Sequence, residues 1–230
     1  MPYRRLPNTD QARLRALKAA MNMGSLLSPA DLAFSQKSLM QLKIFYPHFE
    51  QVLAQYQQNR DRQAKIGKLL MDQFRAARLY VSHFLQVINL CIARGELKPD
   101  IRQFYGIDED ERSVPEIGTE QLLLHWGKCV IEGEEQRIAK GATRIYNPSL
   151  AMVRVKFEKF LELYNTHKDL LNTSQKLLNK VVEFRTQSDA LITNLWNEIE
   201  AAHDQLEPEL KREKCTEYGV VYVYRPTESR

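Results

Sequence analysis

From Ser35 to Arg94 the chain offers almost nothing that would stop a helix. Leu39, Leu42, Phe49, Val52, Leu53 and Tyr56 recur at three- and four-residue spacing. Ile66, Leu70, Phe74, Ala77, Val81, Phe84, Leu85 and Ile88 repeat the pattern. Apolar residues at that period line one face of a helix. Pro47 falls inside the first stripe, where a proline kinks or bounds a helix. Between the stripes lies QQNRDRQAK, residues 57–65, polar except for Ala64 and free of Gly and Pro. The segment is either exposed helix or a turn. A helix through all of it would be a rod of about 90 Å, so the expectation is a turn joining two antiparallel helices.

The flanks are well punctuated. Asn8, Thr9 and Asp10 form a helix start, with an oxygen cap and an acid at the positive end of the dipole. That helix is expected to stop at Gly24, and the second stripe at Gly95 before Pro99. Residues 96–118 read as a linker with an acidic run, Asp108 to Glu111, and a possible strand from Arg102 to Ile107. Helix resumes at Thr119 and runs to about Lys140. Residues 150–206 read as a second helical hairpin ended by Pro208. The aromatic and β-branched tail YGVVYVYRP, residues 218–226, reads as a strand, with MPYRRL at the N-terminus as an added one.

The second half echoes the first. TDQARLRALK at 9–18 returns as TEQLLLHWGK at 119–128. At an offset of 111, Leu42 meets Val153, Phe49 meets Phe160, Val81 meets Ile192, Phe84 meets Leu195 and Ile88 meets Ile199. Tyr105-Gly106-Ile107 answers Tyr218-Gly219-Val220. The expected architecture is therefore mainly α. It is an up-down helical bundle of two tandem three-helix repeats, 1–110 and 111–230, packed as one composite domain, with a minor β element from the tail.

Chemistry is sparse. Cys91, Cys129 and Cys215 are too far apart for a metal knuckle and read as reduced thiols of a cytoplasmic protein. Glu200 and His203 make one Glu-x-x-His pair, but Asn89 and Ile92 stand at the matching positions. His125 and Cys129 share a helix face, a spacing that more often marks a packed thiol. No phosphate loop or hydrolase motif occurs, so no cofactor, metal or catalytic residue is assigned. The charge is uneven, net +6 over residues 1–110 and net −2 over 111–230. Arg60, Arg62, Lys65, Lys68, Arg75 and Arg78 form the best polyanion-binding set. The leading expectation is a non-enzymatic structural or interaction protein, with a protein partner or self-association and no membrane. A nucleic-acid-associated protein comes second, and an enzyme or ligand binder with a site between the repeats third.

Overall fold

The computed structural model describes residues 2–224. It is mainly helical, with 74% helix and 3% strand. In chain order the elements are β1 (Tyr3–Arg4), α1 (Asp10–Leu26), α2 (Gln36–Ala93), a 3-10 helix (Pro99–Tyr105), α3 (Glu120–Ala139), α4 (Leu150–Ala202), α5 (Pro208–Glu217) and β2 (Tyr222–Val223). Thr9 and Thr119 cap α1 and α3 alike, each hydroxyl accepting from the N–H three residues on. Pro47 does not end α2.

Several expectations are corrected. Residues 57–65 are not a turn, because α2 continues as helix through them. Residues 150–202 are likewise one helix and not a hairpin. Each sequence half thus holds one long helix where two were expected. The polar stretch contains good helix formers and no breaker, so nothing local opposes continuation. Gly24 does not stop α1. A Cβ there would strike Leu39, so this glycine serves packing. Residues 102–107 form 3-10 helix and turn, not strand. Pro99 sets the entry and Gly106 leaves it with φ +71°. Pro208 opens α5 instead of closing the chain's helices, since a first-turn position needs no N–H. Among the described residues of the tail, Tyr222–Val223 is strand, and residues 225 and 226 lie outside the described residues. Its partner is the N-terminus, Tyr3 opposite Val223 and Arg4 opposite Tyr222, antiparallel.

The chain divides into two compact units. Unit 1 comprises residues 1–60 and 173–230, and unit 2 comprises residues 61–172. In unit 1, the early part of α2 and the late part of α4 run antiparallel. Phe49 stacks on Phe184 at 6.0 Å and 4°, and Asn59 donates to Ser174 at 2.6 Å. Leu17 and Ala20 of α1, Leu42, Phe49, Ile192, Trp196 and Ile199, with Cys215 and Tyr218, form its core. In unit 2, Phe74 and Phe160 meet at 6.0 Å. Val81, Phe84, Ile88, Tyr105, Leu123, Val130 and Val153 complete that core. Within α2 an 18-residue stretch reaches a mean hydropathy of 1.3, with 28% of it buried. Length and composition alone would allow it to cross a bilayer, a property shared with core helices.

Candidate functional site

A buried polar cluster lies in unit 2. Gly133 lets α3 approach the 3-10 helix so closely that a Cβ would strike the Phe104 carbonyl. That approach brings Tyr105 to Glu134, whose Oε2 accepts from the tyrosine hydroxyl at 2.6 Å. Arg137 forks onto the same carboxylate, Nε to Oε2 at 2.7 Å and Nη2 to Oε1 at 2.8 Å. It also donates to the Thr143 carbonyl at 2.6 Å. All three side chains are buried. Burial first, then the Glu134 carboxylate, pushes the Tyr105 hydroxyl far above its usual range. With its charge matched and its oxygens committed, the cluster ties loop, 3-10 helix and α3 together and offers no open acid or base. Nothing in the sequence separates this i, i+3 pair from an ordinary surface ion pair.

Beside it opens a groove of about 650 Å³, lined by Ile138, Arg144, Ile145, Tyr146, Arg154 and Val155 among others. Its walls come from α3, α4 and the loop between them. Arg154 pairs with Glu135 at the rim. The whole lining belongs to the second sequence half, whereas the expected ligand site lay between the halves.

The basic residues proposed from sequence are all exposed, but they do not form one cluster. Arg60 belongs to unit 1 and the other five to unit 2. At about 100° per residue, Lys65, Lys68 and Arg75 share a sector of roughly 80°, while Arg62 and Arg78 stand about 160° apart. Asp72 sits among the first three, with its Oδ1 3.7 Å from Arg75. Arg60 lies over the Tyr56 ring at 5.9 Å.

The other singled-out residues are occupied by structure. The Glu200 carboxylate accepts from Arg4 at 2.9 Å and from Tyr222 at 2.7 Å. His203 Nδ1 sits 2.8 Å from the Ile199 carbonyl. Cys129 Sγ lies 3.8 Å from His125 Nε2, and burial raises the thiol's pKa, the wrong direction for a nucleophile at neutral pH. Among the described residues no group of three or more His, Cys, Asp or Glu side chains is arranged to hold a metal ion.

Sequence reading missed the pattern of exposed apolar side chains. Ile44 and Val155, one on α2 and the other on α4, are 65% and 48% exposed. Met71 and Val182 are 47% and 49% exposed. Unit 1 holds Ile44 and Val182, and unit 2 holds Val155 and Met71. The signal was in the sequence, because both pairs stand at the 111-residue offset and are apolar in both sequence halves. Comparison with known proteins returns no match: no family model, no curated protein and no solved structure is similar to this chain.

Proposed function

We propose that the chain is a tandem duplication that works as a non-catalytic interaction protein, presenting one apolar recognition face in each unit. The observation that carries this reading is the pairing of exposed apolar residues, Ile44 with Val155 and Met71 with Val182. A lone exposed apolar side chain needs no explanation. Here, exposure and apolar character recur together at equivalent positions of two helices.

Burial supports the same equivalence. Leu42 and Val153, Phe49 and Phe160, Leu70 and Val181, Val81 and Ile192, Phe84 and Leu195, Leu85 and Trp196, and Ile88 and Ile199 are buried pair by pair. Tyr105 and Tyr218 are both buried, and the glycine after each has positive φ. The repeat unit on this reading is one short helix, one long helix and a tail, at 1–110 and 111–230. The partner is a protein of the cytoplasm whose apolar side chains cover the two faces. The polyanion reading has less support, since Arg62 and Arg78 point away from each other and Asp72 interrupts the rest.

Photo-crosslinking residues at positions 44 and 155, placed singly and irradiated in the producing cell, test the proposal. Both positions should yield the same adduct, and Val182→Asp should abolish capture from position 44 and Met71→Asp capture from position 155, each acting within its own unit. Adducts that differ between the two positions, or that match those from exposed Glu158, would overturn it.

A further inference from the structure

Each compact unit draws on both sequence halves. Unit 1 takes α1 and residues 36–60 of α2 from the first half, and residues 173–202 of α4 with α5 and β2 from the second. Unit 2 takes the rest of α2 and the 3-10 helix from the first half, and α3 with the start of α4 from the second. The front piece of one half therefore always packs with the back piece of the other.

We infer that the two units arose by segment exchange, and that residues 57–65 and 168–176 are turns that have straightened into helix. This inference rests on the duplication proposed above. In a closed half, the chain would reverse at that segment and its front and back pieces would pack on each other. In this chain the same segment runs on as helix and delivers the back piece to the other unit. The unit boundaries, after Arg60 and after Asn172, fall at matching places in these two segments. Between identical copies, exchange of this kind keeps the packing contacts of the closed form and changes only the connection. Here the two halves differ in sequence, so the two pairings differ in their contacts.

Charge selects the exchanged pairing. Arg13 on α1 forks onto Asp189 of α4 at 2.7 and 2.9 Å, and Arg185 forks onto Asp10 at 2.8 and 2.7 Å. At the 111-residue offset, Asp189 corresponds to Arg78 and Arg185 to Phe74. If the first half closed on itself, Arg13 would face Arg78 and Asp10 would face Phe74. Closing the second half would keep one attraction, Glu120 opposite Arg185, so two ion pairs in the exchanged form stand against one ion pair and one opposed Arg pair in the closed form. A difference of that kind is how a fold discriminates between partners of similar shape.

The test uses the full chain with a protease site inserted in the 108–113 linker. With the native sequence elsewhere, the cut protein should remain one particle of the full 26.9 kDa. A second chain carries the same site, a Gly-Asn-Gly insertion after Arg60 and after Asn172, and the substitutions Arg78→Asp and Asp189→Arg. These changes supply turns and move Arg13's partner into its own half. After cutting, this chain should separate into two helical particles of about half that mass. If it stays together, or loses its helical circular dichroism, the halves have no closed form and the inference fails. If the native-sequence chain falls apart on cutting, the exchanged pairing itself is wrong. Crosslinking at positions 44 and 155 reads the apolar faces whatever the connectivity, so either result can fail alone.

Discussion

At the residue scale, the most consequential group is the Glu134–Arg137 pair. Two charges have left water, and each is tolerable only because the other is present. The fork supplies two charge-assisted hydrogen bonds, and Tyr105 and the Thr143 carbonyl take up further donors and acceptors. Removing one partner leaves an uncompensated buried charge, whereas removing both leaves an apolar site. Arg137→Met should therefore destabilise the fold by roughly 3–5 kcal/mol, the usual range for breaking a buried pair. The double change Glu134→Leu with Arg137→Met should cost distinctly less. Urea unfolding of the native protein, the single variant and the double variant reads this directly. A double variant at least as destabilised as the single one would show that the pair is worth more than its burial costs. The sequence concealed this pair for a physical reason: opposite charges three residues apart on a helix are ordinary on a surface. Only the close approach permitted by Gly133 puts them in a core.

At the element scale, helix starts were legible and helix connections were not. Thr9 and Thr119 announced α1 and α3 because a capping hydroxyl is a local device. The stripes announced α2 and α4 because burial imposes its period on sequence. Whether residues 57–65 turn or continue depends on what lies beside them, since an exposed helical segment and a polar turn have the same composition. Pro208 was ambiguous in the same way, because proline suits both the end of one helix and the first turn of the next. The start of α2 shows a connection made by tertiary structure. Ser35 caps it locally, accepting from the Ser38 N–H at 3.2 Å. Glu198 of α4 adds a carboxylate that accepts from the Ser35 N–H at 2.6 Å, the Ser38 hydroxyl at 2.7 Å and Asn194 at 2.8 Å. Burial alone would raise the Glu198 pKa, but these hydrogen bonds outweigh it and hold the group below the usual glutamate range. A carboxylate whose pKa is depressed by folding adds stability above its unfolded value, and that stability is lost as pH falls through the folded one. Glu198→Gln should thus be less stable than the native protein at pH 7, with the gap closing below about pH 4. Urea unfolding at pH 7 and pH 3 measures it. A gap of equal size at both values would mean the ionised carboxylate contributes nothing there.

At the scale of the whole molecule, the composition announced a helical protein, and the 111-residue offset matched buried positions in one half with buried positions in the other. The units were not legible, because a repeat is a property of sequence order and a compact unit is a property of packing. Unit 2 makes the difference testable, since it is one uninterrupted segment, residues 61–172, that matches neither half. It has its own core, in which Phe84 of α2, Tyr105 of the 3-10 helix, Leu123 of α3 and Phe160 of α4 all lie. Its buried ion pair and the Arg137–Thr143 hydrogen bond lie within it. A segment of about 110 residues with one core is of ordinary domain size. Residues 61–172 made alone should therefore be helical and melt in one cooperative transition. The half-chain 1–110 carries front and back pieces whose native partners lie elsewhere, with Arg13 and Arg78 opposed if it closes. At equal concentration it should melt lower than 61–172 or associate. Circular dichroism melts with light scattering on the two fragments compare them. A cooperative monomeric 1–110 more stable than 61–172 would show that the sequence halves, and not the packed units, are what fold.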